Sequence, residues 1–134
     1  MSDIYQYYNA NPRDDKISDC VRRSISLAYH KDYKQVTREL RTLRKNTNEK
    51  LSNVPIVFEA YIHQNGCVYE SESIVKSKEQ TIKQFIKSNP IGTYLLIVGR
   101  ERGNPKHMTS LIDGVIYDTF DCTDWYIIKY YKVV

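Results

Sequence analysis

The stretch "SDCVRRSISLAYH", residues 18–30, places Cys20 directly behind an aspartate where an amphipathic helix is expected to begin. Ser18 and Asp19 are both common N-cap residues, and apolar side chains then follow at helical spacing: Val21, Ile25, Ala28 and Tyr29. Unpaired N–H groups and the positive end of the helix dipole favour a thiolate at this position, as do the two arginines that follow. Cys20 is therefore a candidate nucleophile, and a small buried side chain is the alternative.

A nucleophilic thiol needs a base, and the chain offers three histidines. His30 lies about 15 Å along the same helix from Cys20, which is too far for a hydrogen bond. His63 falls within a predicted helix and is expected at the surface. His107 opens a predicted strand after a loop that contains glycine and proline, and it is the candidate general base.

The register of a predicted hairpin selects the carboxylate that would orient His107. The pair Asp113-Gly114 between two alternating segments is a strong signal for a two-residue turn. This turn places Asp118 diagonal to His107 on the same face of the sheet. A longer turn with a bulge would reverse the face of the sheet to which each side chain of the second strand points, and it would favour Asp121 instead.

The elements that would position these residues divide the chain into two halves. Residues 1–17 are expected to form an irregular arm, and predicted helices cover 18–30, 33–45, 55–65 and 77–89. Predicted strands follow: an edge strand at "CVYES", a central strand at "GTYLLIVG", the hairpin, and a last strand at "WYIIKYYKVV". The order predicts one α+β domain over residues 1–134, with N-terminal helices packed on a C-terminal antiparallel sheet.

The composition excludes several classes of protein. Of 134 residues 41% are hydrophobic and 27% charged, and no apolar run approaches the roughly 18 residues that span a bilayer. The first residues lack the features of a secretory signal, so we expect a cytoplasmic protein with no membrane partner. Three cysteines without a CxxC pair favour free thiols over disulfides or a zinc site, and neither a metal nor a cofactor is predicted.

A net charge of +4 is mildly basic, and only one segment concentrates it. Cations recur at helical spacing in "KQVTRELRTLRKNTNEK", at Lys34, Arg38, Arg41 and Lys45. A solvated face opposite an apolar stripe accounts for this pattern, so nucleic-acid binding is possible but not favoured.

Two segments resemble a known family. A "DC" pair that opens an N-terminal helix, followed by "GTYLLIVG…H…SLIDGVIYDTFDC", is similar to the papain-like cysteine peptidase superfamily. The resemblance is closest to small proteins of phages and prophages of Gram-positive bacteria and runs over most of residues 9–132. It implies a papain-like fold, a host bacterial cytoplasm, and a triad of Cys20 as nucleophile, His107 as base and Asp118 as orienting acid.

The chain departs from that family at one position. Papain-like peptidases usually carry a glutamine several residues before the cysteine, and its amide donates to the oxyanion. The matching region here reads "NANPRDDKIS", so Asn9 or Asn11 is the candidate amide, with the Cys20 backbone N–H as the second donor.

These features favour a cysteine hydrolase of the peptidase or amidase type that acts on a polypeptide through Cys20, His107 and Asp118. The alternative is a weak or inactive papain-like module that binds a host protein or nucleic acid. In that case the basic helix face would be the working surface.

Overall fold

The computed structural model describes residues 3–13 and 18–133, and within them it contains four helices and six strands. The helices are α1 (Cys20–Tyr29), α2 (Tyr33–Asn46), α3 (Pro55–Asn65) and α4 (Ile82–Ser88). The strands are β1 (Tyr5–Tyr7), β2 (Tyr69–Glu70), β3 (Thr93–Gly99), β4 (His107–Ile112), β5 (Val115–Asp118) and β6 (Tyr126–Lys132). The predicted α+β class is confirmed.

The strands form one sheet in the order β1-β5-β4-β3-β6-β2. All neighbouring strands are antiparallel except β1, which runs parallel to β5 with Tyr5 opposite Ile116. The prediction of an irregular arm was therefore wrong for β1, and the sheet is mixed. Three residues are too few to show a periodic pattern. The hydrogen bonds that make them a strand come from β5, which lies more than a hundred residues away in the sequence. Residues 1, 2 and 14–17 of the predicted arm lie outside the described part.

The two faces of the sheet carry separate hydrophobic clusters. Leu95 and Met108 pack on one face against α1, α2 and α3. Leu96 and Leu111 pack on the other face with Phe85 of α4. Successive side chains of a strand point to opposite faces, so the continuous apolar run of β3 serves both clusters.

Two helix ends show how local sequence decides a boundary. Pro55 opens α3 and Gly66 ends it at a positive φ of 112°, as predicted. The predicted start of the fourth helix at Ser77 was wrong. Thr81 caps α4 in a reciprocal pair with Gln84, and the preceding Lys76–Lys78 is a separate 3₁₀ turn.

The hairpin between β4 and β5 has the predicted two-residue turn. Asp113 and Gly114 occupy the left-handed region at φ values of 47° and 81°, and Leu111 lies opposite Ile116. The predicted register is confirmed, and it places Asp118 at the end of β5 beside the start of β4. Within the described residues, no helix is both long and apolar enough to cross a membrane.

Candidate active site

Cys20 is the first residue of α1, and the aspartate before it does not cap the helix. Asp19 turns its carboxylate inward, where it accepts a hydrogen bond from the Tyr33 hydroxyl at 2.8 Å and lies 3.2 Å from Nε of Arg23. Among the described residues no side chain caps the first turn of α1. The N–H groups beside the thiol therefore keep their capacity to bind a negative charge.

His107 and Asp118 form a buried pair. Nε2 of His107 lies 2.7 Å from Oδ2 of Asp118, and the side chains are only 8% and 6% exposed. The rings of Phe120 and Trp125 lie 4.8 and 6.1 Å from the imidazole, centroid to centroid, and shield the pair from water. Burial alone would raise the pKa of Asp118, but hydrogen bonds from His107, Thr109 and the Thr119 N–H hold it below its usual value.

Cys20 and His107 line one cleft, where each is close enough to shift the pKa of the other. Because Asp118 occupies Nε2, the ring nitrogen left for the thiol is Nδ1. Burial opposes the charged form of both groups. The hydrogen bond and charge of His107, with smaller contributions from the Met108 backbone and Arg23, nevertheless lower the pKa of Cys20. Asp118 and Cys20 together raise the pKa of His107 from 6.5 to about 9 despite its burial.

Arg23 connects the two halves of this site. Its Nη1 donates to the Thr119 hydroxyl at 3.1 Å, and its Nη2 lies 4.0 Å from Asp118. A helix residue thus contacts the end of the hairpin that carries the carboxylate. Arg22 takes a different position, with its guanidinium 5.5 Å from the centre of the Tyr33 ring.

The remaining titratable candidates lie elsewhere. Asp121 accepts hydrogen bonds from the Thr123 N–H and hydroxyl within its own turn, so the confirmed register favours Asp118. His30 ends α1 in a left-handed conformation and is exposed. His63 is exposed and lies 2.5 Å from Glu70.

The two asparagines predicted as oxyanion donors have other partners. The Asn11 amide donates to the Asp19 carboxylate at 3.0 Å, and Asn9 accepts from the Asn11 N–H. Neither residue lines the cleft at Cys20, but Asn53 does. Asn53 stands in the polar loop before α3, and no local pattern distinguishes it from the other polar residues there.

A cleft of about 590 Å³ opens at Cys20 and His107. Phe58 of α3, Ile97 and Met108 form an apolar wall. At the far side Glu59 pairs with Lys129 at 2.7 Å and accepts a hydrogen bond from the Tyr131 hydroxyl. The lining of the cleft from α3 and β6 was not predicted, because these residues are far apart in the sequence.

One group of side chains in this region resembles a metal site. Single ligand atoms of His107, Asp118 and Cys122 lie within 4.8 Å of one another. An ion there would have to replace the hydrogen bond between His107 and Asp118. It would also have to deprotonate Cys122, whose pKa is raised to about 12 by burial and by the Asp118 charge. This donor set suits proton transfer better than metal binding.

The predicted basic face is exposed on α2, where its four cations are Lys34, Arg38, Arg41 and Lys45. Arg41 also lines a groove beside the cleft.

The site thus consists of a thiol at a helix start, an imidazole beside it and a buried carboxylate behind the imidazole. Comparisons with protein-family models, with curated proteins and with solved structures find no match to this chain. Its function must therefore be argued from the chemistry of its own residues.

Proposed function

We propose that the protein is a papain-like cysteine hydrolase that cleaves a peptide or amide bond in a polypeptide. The observation that carries this proposal is that Cys20 and His107 line one cleft and that the His107 ring is paired with the buried Asp118 carboxylate. Cys20 is the nucleophile, His107 the general base and acid, and Asp118 the residue that orients the ring and stabilises its positive charge.

The resting site is a thiolate beside an imidazolium. This state is supported by the lowered pKa of Cys20 and by the raised pKa of His107. The sulfur attacks the carbonyl carbon, a C–S bond forms, and the carbonyl oxygen becomes an oxyanion. His107 then donates its proton to the leaving nitrogen as the C–N bond breaks, which leaves an acyl enzyme.

Hydrolysis of the acyl enzyme reverses the roles. His107, now neutral, takes a proton from water, and the resulting hydroxide attacks the thioester carbon. The C–S bond breaks, the carboxylic product leaves, and the thiolate and imidazolium are restored.

Two donors serve the oxyanion in this mechanism. The backbone N–H of Cys20 belongs to the uncapped first turn of α1. Asn53 contributes the side-chain amide, because it is the one amide side chain that lines the cleft among the described residues. This assignment replaces Asn9 and Asn11, whose side-chain oxygens and amide are engaged in the arm.

The shape of the cleft supports a polypeptide substrate. It is partly open to solvent and has an apolar wall of Phe58, Ile97 and Met108, which suits the side chains of an extended segment. The resemblance to phage and prophage proteins supports a host protein as the source of that segment and the host bacterial cytoplasm as the place of action.

The proposal is tested by the reactivity of the three thiols. Each of Cys20, Cys67 and Cys122 is left as the single cysteine by Cys→Ser substitutions, and alkylation by iodoacetamide is followed from about pH 4 to 9. Cys20 is expected to react rapidly near pH 6, while Cys67, half-buried with a raised pKa, serves as the control. His107→Ala should abolish the fast reaction at pH 6.

A peptide library analysed by mass spectrometry then tests for hydrolysis, with Cys20→Ser as the inactive control. A Cys20 that reacts at pH 6 no faster than Cys67 would remove the nucleophile from the proposal. A stable complex with a host protein, unaffected by Cys20→Ser and without cleavage, would instead favour the binding module.

A further inference from the structure

A second groove, of about 350 Å³, lies beside the catalytic cleft between the start of α1, the exposed face of α2 and the loop that precedes α3. Four cationic side chains line it: Arg22, Arg41, Arg44 and Lys50. The Arg22 guanidinium is held over the Tyr33 ring, and Arg44 donates to the Lys50 carbonyl at 3.3 Å. The positions of these two arginines thus depend on packing and hydrogen bonding within the protein.

The positive charge of this groove is not neutralised from within the described part of the chain. Asp19 is the one carboxylate that lines the groove, and it is 4% exposed and engaged with Arg23 and Tyr33. The ion pairs among the described residues involve other cations than the four in the groove. Among the described residues the groove therefore presents positive charge without a paired carboxylate, and such charge attracts an anionic ligand.

The groove and the catalytic cleft adjoin each other. Val21 and Asn53 line both of them, and Cys20 lies next to Val21 in the chain. A chain bound across the thiol can therefore extend past Asn53 into the groove.

We infer that this groove binds acidic side chains of the polypeptide substrate, close to the bond that is cleaved. The inference rests on the proposed hydrolase function and adds a substrate class to it: polypeptides with a cluster of Asp or Glu near the scissile bond. One exposed ion pair contributes little to binding. Several cations acting together produce a preference for acidic peptides.

The lining of the groove favours an acidic peptide over a nucleic acid. Proteins that bind single strands combine positive charge with aromatic side chains on which the bases stack. The described residues that line this groove include no aromatic ring. The adjoining wall of the cleft is apolar, through Phe58, Ile97 and Met108, and fits the side chains of a peptide.

The test uses the Cys20→Ser protein, so that binding is measured without turnover. Two fluorescent 12-residue peptides, identical except for four Glu or four Gln, are titrated by anisotropy at 50 and 300 mM NaCl. The Glu peptide is expected to bind about tenfold more tightly at low salt, and the difference should shrink at high salt.

Two double variants, each made in the Cys20→Ser background, provide a matched comparison. Arg41→Glu with Lys50→Glu should remove the preference for the Glu peptide. Lys78→Glu with Lys87→Glu changes the net charge equally at exposed positions outside the groove and should retain the preference. Circular dichroism confirms that each variant is folded.

Equal affinity for the two peptides, or an equal loss in both double variants, would overturn the inference. So would tighter binding of a single-stranded oligonucleotide of the same charge. An unreactive Cys20 thiol would overturn the hydrolase function, and this result is measured independently of the peptide preference. A reactive Cys20 without a peptide preference would overturn only the acidic substrate class.

Discussion

His107 has two ionisable neighbours, and both act in the same direction on its pKa. Asp118 lies 2.7 Å from Nε2 and raises the pKa of the ring, and Cys20 raises it further. In the proposed resting state the buried carboxylate therefore favours the Cys20 thiolate through the imidazole. Its removal should therefore change the chemistry of a cysteine nearly a hundred residues away.

Asp118→Asn should lower the alkylation rate of Cys20 at pH 6 by about tenfold or more, because the imidazolium loses its counter-charge. Asp121→Asn is the matched control, since Asp121 contacts Thr123 and not the imidazole. Rates are measured by mass spectrometry of the Cys20 peptide. A larger effect of Asp121→Asn would assign the orienting role to that residue.

The pH dependence of stability follows from the pair as a whole. The pKa of His107 is raised from 6.5 to about 9, so its contribution is fully present below about 6.5 and is lost as the pH rises through about 9. The pKa of Cys20 is lowered from 9.0, so its contribution is complete above 9 and is lost as the pH falls. Where both contributions change with pH, they change in opposite directions.

Below about pH 6.5 His107 is protonated in the folded and the unfolded state alike, so only Cys20 changes the contribution of the pair to the free energy of unfolding there. With the proposed thiolate, we expect this contribution to decrease as the pH falls below about 6.5. Urea unfolding of the wild type and of the Cys20→Ser/His107→Gln variant, from pH 4.5 to 9, measures this contribution. A contribution that grows as the pH falls below about 6.5 would contradict a thiolate–imidazolium pair.

At the scale of elements, α1 and α2 each begin directly after an aspartate, and the two aspartates make different interactions. Asp32 accepts hydrogen bonds from the Lys34 and Gln35 N–H groups and caps α2 at the surface. Asp19 is buried and fastens the start of α1 to Arg23 and Tyr33. The first turn of α1 is thereby held in place without a cap that would compete with a ligand.

Asp19→Ala should lower the free energy of unfolding by about 3 kcal/mol, because it removes the nearer of the two carboxylates that pair with the partly buried Arg23. Asp32→Ala removes an exposed cap and should cost about 1 kcal/mol. Urea denaturation at pH 7 compares the two variants. Equal losses would mean that Asp19 acts only as an ordinary helix cap.

At the scale of the whole molecule, the site exists only where the helical layer meets the sheet. Cys20 comes from α1, which packs on one face of the sheet with Met108. His107 and Leu111 lie an even number of residues apart in β4, so their side chains belong to the same face of the sheet. This is the opposite face, on which Leu111 packs with residues of α4. His107 reaches the thiol because it stands at the very start of β4. The lowered pKa of Cys20 is thus a property of the folded molecule.

Two thiols should consequently respond to unfolding in opposite ways. As urea unfolds the protein at pH 6, Cys20 should lose its fast alkylation because its pKa returns to the ordinary value. Cys122, which is fully buried with a pKa of about 12, should become accessible over the same transition. Alkylation measured peptide by peptide, beside circular dichroism, tests this. A fast Cys20 reaction in unfolded protein would assign its reactivity to local sequence.

Local sequence was sufficient where the structure is decided within a few residues. The Asp113-Gly114 turn requires positive φ at both residues, so the hairpin register and the pairing of His107 with Asp118 could be predicted. Pro55 and Gly66 likewise mark α3 through their backbone preferences. Thr81 was missed as the start of α4 because Ser77 offered a competing cap a few residues earlier.

The sequence by itself determined the α+β order of the elements, the hairpin, and the choice of Cys20, His107 and Asp118 as the candidate thiol, imidazole and carboxylate. Only the tertiary structure decided that Asp19 turns away from the helix N-terminus, that Asn53 lines the cleft and the asparagines of the arm do not, and that β1 joins the sheet. The physical reason is the range of the interactions. Turns, caps and periodicity depend on neighbours along the chain, whereas burial, charge pairing and strand addition depend on residues that only folding brings together.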